Sequence, residues 1–180
     1  MNQVSDRAFS WKDHVPVTFT SILFISQIIV GNYLLFQISQ IEILAYAGVG
    51  LYVSSGIILG MLPVFELRKK GGVRKGESYI HTTKLVDTGI YSVVRHPQYT
   101  TFIMWAIAGM LLFQHWIVFL LGVPIIPLTY IDLIKEDKEC VKRFGDDYTA
   151  YMKKVPRANF LLGLLRLIRR KRQQALDNAH

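Results

Sequence analysis

The sequence predicts an all-α protein: a polytopic membrane helical bundle of about four spans, the last two a tight hairpin, followed by a cytoplasmic amphipathic helix. Three observations predict it. The hydrophobic residues, 51% of the chain, gather in long runs. The formal net charge of +8 lies outside those runs. The segments joining the runs differ sharply in basic content, as the loops of multi-pass membrane proteins do. At 180 residues the chain fits a single domain, residues 1–180.

The segment before the first run carries Asp6, Arg7, Lys12 and Asp13 and no small-residue cleavage site, so the run reads as a retained helix rather than a removed signal peptide. Residues 17–38 are nearly all apolar, interrupted by Gln27, Asn32 and Gln37, and carry no charge. About 20 apolar residues cross a bilayer core of roughly 30 Å, which makes this a first span. Residues 43–65 are the second, and with the first they occupy 17–65. Gly48, Gly50, Gly56 and Gly60 interrupt the second span at spacings that let helix backbones approach closely.

The third and fourth runs, residues 100–113 and 116–134, are separated by Gln114-His115 alone. Pro97 suits the first turn of a helix and lengthens the third run towards a full crossing. Pro124 and Pro127 are expected to kink the fourth run or open a gap in its backbone.

Charge orients the spans. Two lysines and arginines precede the first span, seven lie between the second and third, and twelve follow the fourth. The two remaining loops, residues 39–42 and 114–115, have none. Four spans place every basic residue on one side, and the positive-inside rule makes that side cytoplasmic, with both termini there. The compact chain, with no eukaryotic retention signal at its end, points to a prokaryotic cell membrane.

Residues 135–152 set Cys140, Val141, Phe144, Tyr148 and Tyr151 at helical spacing, with charges on the other face. Residues 158–180 form a basic interfacial tail. Leu161, Leu162, Leu164, Leu165, Leu167 and Ile168 precede Arg169-Arg170-Lys171-Arg172, a pattern that lies in the membrane interface against anionic lipid headgroups rather than on nucleic acid. Residues 173–180 are expected to fray. The lone Cys140 forms no intramolecular disulfide and offers no metal cluster.

The residues with chemical potential bracket the hairpin. Before it runs Leu85-Val86-x-x-Gly-Ile-Tyr91-Ser-x-x-Arg95-His96-Pro97-Gln98-Tyr99; after it come Glu136-Asp137 and Phe144-Gly145-x-x-Tyr148-x-x-Tyr151-x-x-x-Val155-Pro156-Arg157. Read singly, each has an ordinary explanation: a snorkelling arginine, a histidine at a helix end, interfacial tyrosines, carboxylates at a helix start. Asp132 is harder to dismiss, because a carboxylate in the last turn of an apolar run needs a partner or a water-filled cavity.

Together, in order, these elements resemble the isoprenylcysteine carboxyl methyltransferase family and its phospholipid methyltransferase relatives, over residues 85–157. The resemblance implies an S-adenosylmethionine-dependent methyltransferase acting on a lipid-like acceptor that enters from the bilayer, first of all the carboxylate of an isoprenylcysteine-type substrate. It implies that Leu85, Val86, Tyr91, His96, Pro97, Gln98, Tyr99 and Glu136 bind the cofactor and that no metal takes part. Glu136 would reach the methionine ammonium or the ribose hydroxyls. Arg95, Asp132 and Glu136 are the expected catalytic residues. The family usually has an arginine where this chain has Asp132, and a glycine where it has Thr101. Arg95 then supplies the missing cation, or the acceptor is a lipid amine that Asp132 orients. A further alternative is an NADPH-dependent sterol or isoprenoid reductase, whose C-terminal region carries a similar Arg-His-Pro-x-Tyr element. No glycine-rich dinucleotide fingerprint occurs.

Overall fold

The computed structural model describes residues 11–34, 41–74, 76–79 and 82–178, and among these every regular element is helical. Helix α1 runs Trp11–Leu34. Helix α2 runs Glu42–Lys70, with one π-helical turn at Gly56–Met61. A 3₁₀ turn at Gly89–Ser92 leads to α3 (Pro97–Phe113), α4 (Trp116–Lys154) and α5 (Phe160–Asp177). Helices α2 and α4 are long and apolar enough to cross a membrane; Thr18–Leu34 and α3 are apolar but shorter. Ile22, Ile25 and Ile29 on α1 and Ile43, Ile57, Met61 and Phe65 on α2 are exposed, an apolar coat that suits lipid rather than water.

Helix α3 lies at the centre, with α2 on one flank and α4 on another, while α1 packs along α4 and also touches α3. Glycines set the α2–α3 approach. A Cβ on Gly48 would fall 2.8 Å from both the Ala108 carbonyl and the Leu112 nitrogen, and one on Gly56 would press on Trp105 at 3.3 Å. Gly60 faces Thr101, whereas Gly50 meets nothing within 4 Å and plays no part in the contact. Gln27, a polar interruption of the first apolar run, is the glue of α1. It is 1% exposed and donates through Nε2 to the carbonyls of Ala106 (3.0 Å) and Val118 (3.4 Å), tying α1 to α3 and α4 at once.

The tight hairpin is present. Pro97 opens α3, Gln114 takes a left-handed conformation (φ 49°) and His115 caps α4 by accepting from the Ile117 N–H. The Gln114 amide also clasps Ile41 across the bundle, accepting from its N–H at 3.0 Å and donating to its carbonyl at 2.9 Å. Ile41, just before α2, and the reversal at Gln114 therefore share one end of the bundle. At the other end Arg95 and His96 donate their backbone N–H groups to the carbonyls of Pro156 and Arg157.

Several expectations are corrected. Residues 35–38 of the first run lie outside the described residues, and α1 begins at Trp11 rather than 17. The backbone stays helical through Pro124 and Pro127; the residue that leaves helical dihedrals inside α4 is Gly145 (φ 59°, ψ −133°). Proline distorts a helix by removing one N–H, but glycine alone tolerates this dihedral pair. Residues 135–144 continue the fourth run, and the break falls instead at Gly145, inside the segment expected to be one helix. Residues 173–177, expected to fray, complete α5.

Candidate active site

The site is built where the end of α2, the 82–96 loop, the C-terminal half of α4 and residues 155–159 converge. Lys70, in the last turn of α2, pairs with Glu66 at 2.7 Å and donates to Thr88 Oγ1 at 3.0 Å, so the helix end grips the loop. Gly89 (φ 60°) follows, and a Cβ there would collide with the Glu66 carboxylate. The 3₁₀ turn then presents Tyr91, which is buried. Its carbonyl accepts a 2.6 Å hydrogen bond from the Tyr151 hydroxyl, and burial pushes its phenol well above the ordinary value. Leu85 packs on the cluster of Tyr148, Tyr151 and Val155, beside Cys140 and Phe144.

The centre of the site is Asp137. Its Oδ1 accepts from the Tyr148 hydroxyl at 2.7 Å and lies 2.7 Å from His96 Nε2. Its Oδ2 accepts from Arg157 Nε at 2.6 Å and lies 3.3 Å from Arg95 Nη2. Burial alone would raise this carboxyl, but the bonds from His96, Tyr148 and Arg157 outweigh it and hold Asp137 far below the usual carboxylate range. Two arginines, a histidine and a tyrosine thus converge on one carboxylate that is 3% exposed. Arg157 also donates to the Tyr130 hydroxyl at 3.0 Å, with its guanidinium 5.3 Å from the centre of that ring.

The sequence-predicted residues fall into two groups around this hub. Arg95, His96 and Pro97 are buried against it. Arg95 leaves Nε and Nη1 buried without a hydrogen-bond partner, donors suited to an anionic group. Val86 is buried in the loop and Gln98 donates to the Tyr79 hydroxyl at 3.3 Å. Tyr99 lies on the far side, with Glu136, Asp132 and Cys140 close enough to act on its hydroxyl electrostatically. Among the described residues Glu136 receives a single long hydrogen bond, from Cys140 Sγ at 3.8 Å, and burial beside that carboxylate pushes the Cys140 thiol up to about 11. Asp132 is not part of the hub. It lines a separate cavity with Tyr99. Among the described residues no group of three or more His, Cys, Asp or Glu could hold a metal ion.

Sequence reasoning quoted Asp137, Tyr148 and Arg157 inside the motif but gave them no role. Their spacing held a signal. Asp137 and Tyr148 are eleven residues apart, about three turns of an unbroken helix, but the break at Gly145 falls between them and sets how they meet. Arg157 carried no such signal, because its reach depends on how the chain turns after α4.

A cofactor with a carboxylate, an ammonium and an aromatic base would find matching groups here: the unpartnered Arg95 nitrogens, the under-bonded Glu136 carboxylate and the rings of Tyr79, Tyr91 and Tyr99. Residues 77–142 match the isoprenylcysteine carboxyl methyltransferase (ICMT) family. The chain is 34% identical over 99 residues to a protein-S-isoprenylcysteine O-methyltransferase of Schizosaccharomyces pombe, covering 50% of this chain and 42% of that one. It is 28% identical over 109 residues to protein-S-isoprenylcysteine O-methyltransferase B of Arabidopsis thaliana, covering 56% and 53%. A Saccharomyces cerevisiae protein-S-isoprenylcysteine O-methyltransferase is 33% identical over 89 residues, 44% of this chain and 37% of that one. The chain thus spans about half the length of these relatives or less. No solved structure matches it. Residues 77–142, a little over a third of the chain, are thus similar to the isoprenylcysteine carboxyl methyltransferase family.

Proposed function

We propose that the protein is an integral membrane methyltransferase that takes its methyl group from S-adenosylmethionine and acts on a lipid-like acceptor of the isoprenylcysteine type. The observation that carries the reading is the 2.7 Å contact between His96 and Asp137, which joins the two halves of the motif across the hairpin. The Arg95–Tyr99 segment and the Glu136 turn thereby become two walls of one site. The cofactor's contribution when bound is a methyl group activated on a cationic sulfonium.

The rest is done by this chain's residues. Tyr91 and Tyr99 offer aromatic faces to a cationic or flat ligand. Glu136 holds an ammonium or hydroxyls, and Leu85, Val86, Pro97 and Gln98 shape the loop around it. The free Nε and Nη1 of Arg95 hold a carboxylate. An acceptor carboxylate is already ionised at neutral pH, so no general base is required. Catalysis rests on alignment and on excluding water from a closed site.

The membrane placement follows the same reading: four spans, with the basic end of the bundle in the cytoplasm. The clasp between Gln114 and Ile41 supports it, since it joins one residue from each uncharged segment. Helix α5 would lie in the interface against anionic lipid. Its Arg170 is turned inward, donating to the carbonyls of Lys154 (3.1 Å) and Ser92 (2.8 Å), which leaves Arg166, Arg169, Lys171 and Arg172 for headgroups.

The test is calorimetry on the purified protein in detergent. S-adenosylhomocysteine should bind, and Glu136→Gln should weaken binding about tenfold to a hundredfold, the worth of a charge-assisted hydrogen bond. Binding of NADPH with no affinity for either methyl-donor ligand would overturn the assignment.

A further inference from the structure

A second cavity, of about 300 Å³, lies between α1, α3 and α4. Phe24, Ile25, Phe102 and Ile125 give it apolar walls, and Tyr99, shared with the proposed cofactor site, closes one side. Three of its lining residues bury an oxygen that has no hydrogen-bond partner among the described residues: Thr20 Oγ1, Thr129 Oγ1 and Asp132 Oδ1. Such groups are costly to leave unmade, and they converge from two helices on one space.

The threonines make the point by contrast. A helical threonine in an apolar setting ordinarily turns its hydroxyl back on the carbonyl four residues earlier. Thr100 and Thr101 do this, donating to His96 (2.9 Å) and Pro97 (3.1 Å). Thr129, 2% exposed, does not, although the Ile125 carbonyl stands at the equivalent position. Asp132, 6% exposed, forms no ion pair among the described residues; the Lys135 ammonium acts on it only at longer range. The cavity is therefore apolar along its length and rich in acceptors at the end nearest the proposed site of methyl transfer.

We infer that this cavity is an acceptor-specificity pocket. It takes a lipid chain whose headgroup carries an N–H donor, and Asp132, assisted by Thr129, accepts that hydrogen bond. The inference rests on the methyl-acceptor reading above and deepens it. An isoprenylcysteine-type acceptor carries such a nitrogen beside its carboxylate, as an ammonium when free and as an amide N–H when acylated. Asp132 would make this chain require the nitrogen, which a carboxylate-binding arginine at that position would not.

The experiment measures binding of three matched lipids to the purified protein in lipid nanodiscs, by calorimetry, without any methyl donor. The lipids are S-farnesylcysteine, N-acetyl-S-farnesylcysteine and the nitrogen-free S-farnesyl-3-thiopropionate. The N–H-bearing lipids should bind about tenfold to a hundredfold more tightly than the third, the range of one hydrogen bond to a charged group. A preference for the free ammonium over the amide identifies charge pairing; equal affinity for the two identifies hydrogen bonding alone. Asp132→Leu should erase the advantage of both, and Thr129→Val, a near-isosteric change, should reduce it. Equal binding of all three lipids, binding of none, or an advantage that survives Asp132→Leu would overturn the inference, and one that survives Thr129→Val would remove Thr129 from it. Labelled-methyl transfer to the same lipids is scored separately. Selective binding without transfer would defeat the methyltransferase reading and leave the pocket standing; transfer to all three with equal binding would do the reverse.

Discussion

Two aspartates on one helix, five residues apart, live in opposite circumstances. Asp137 is surrounded by Arg95, His96, Tyr148 and Arg157, each within 3.3 Å. Asp132 lines a cavity, and its buried Oδ1 has no hydrogen-bond partner among the described residues. Both are more than nine-tenths buried, so burial does not separate them. What separates them is whether the surrounding groups are already spent. A satisfied buried carboxylate organises the structure around it, while an unsatisfied one awaits a ligand.

Replacing each aspartate should expose that difference most strongly. Asp137→Ala leaves two guanidinium groups and a histidine packed together without their counter-charge. It should cost about 3–5 kcal/mol, the penalty for stripping one member from a buried ionic network. Asp132→Ala removes a carboxylate oxygen with no partner to lose, so thermal unfolding in detergent should show little destabilisation or a gain. Equal losses for the two variants would erase the distinction.

The bend in α4 offers the next test. Gly145 at φ 59° and ψ −133° changes the course of the helix between Asp137 and Tyr148. Nothing lies within 4 Å of a Cβ built there, so steric crowding is not the obstacle; the backbone conformation is. Gly145→Ala should cost about 1–3 kcal/mol in strain and weaken cofactor binding by loosening the Tyr148 contact. A fully stable variant with intact binding would show that the bend is not needed to complete the hub.

A smaller effect is expected at Tyr151. Its hydroxyl donates at 2.6 Å to the Tyr91 carbonyl, the contact that fixes the 3₁₀ turn on α4. Tyr151→Phe keeps the ring packing and orphans a buried acceptor, which should cost about 1–2 kcal/mol. Hydrogen exchange around residues 89–92 should rise in step with that loss.

The last test is pH. Asp137 has a folded-state pKa far below that of an unfolded aspartate, near 3.9. Its contribution is therefore fully present above pH 4 and fades as pH falls through the depressed folded value. The stability gap between wild type and Asp137→Asn should stay flat from pH 8 to about pH 5 and begin to close only below about pH 4. A gap that closed between pH 7 and 5 would assign the network's ionisation to another group.

Much of this was legible in the residues. The apolar runs gave the helices, because a chain in lipid must satisfy its backbone internally and has few other choices. Pro97 and Gln114-His115 marked the hairpin, since helix entry and reversal depend on local chemistry. The glycines of α2 announced a close contact, though not that Gly50 would stand outside it. Pro124 and Pro127 keep helical dihedrals, whereas the bend at Gly145 followed from the one residue able to adopt that conformation.

By itself the sequence determined the helical class, the order of the elements and the motif that resembles the methyltransferase family. These depend on composition, periodicity and local conformational preference. The tertiary structure alone decided that Asp137 is the hub, that Arg157 returns from beyond α4 to bind it, and that Asp132 stands apart at an empty acceptor. Those facts concern which polar groups find partners through space, and a buried charge is satisfied or left wanting only by neighbours that the fold brings to it.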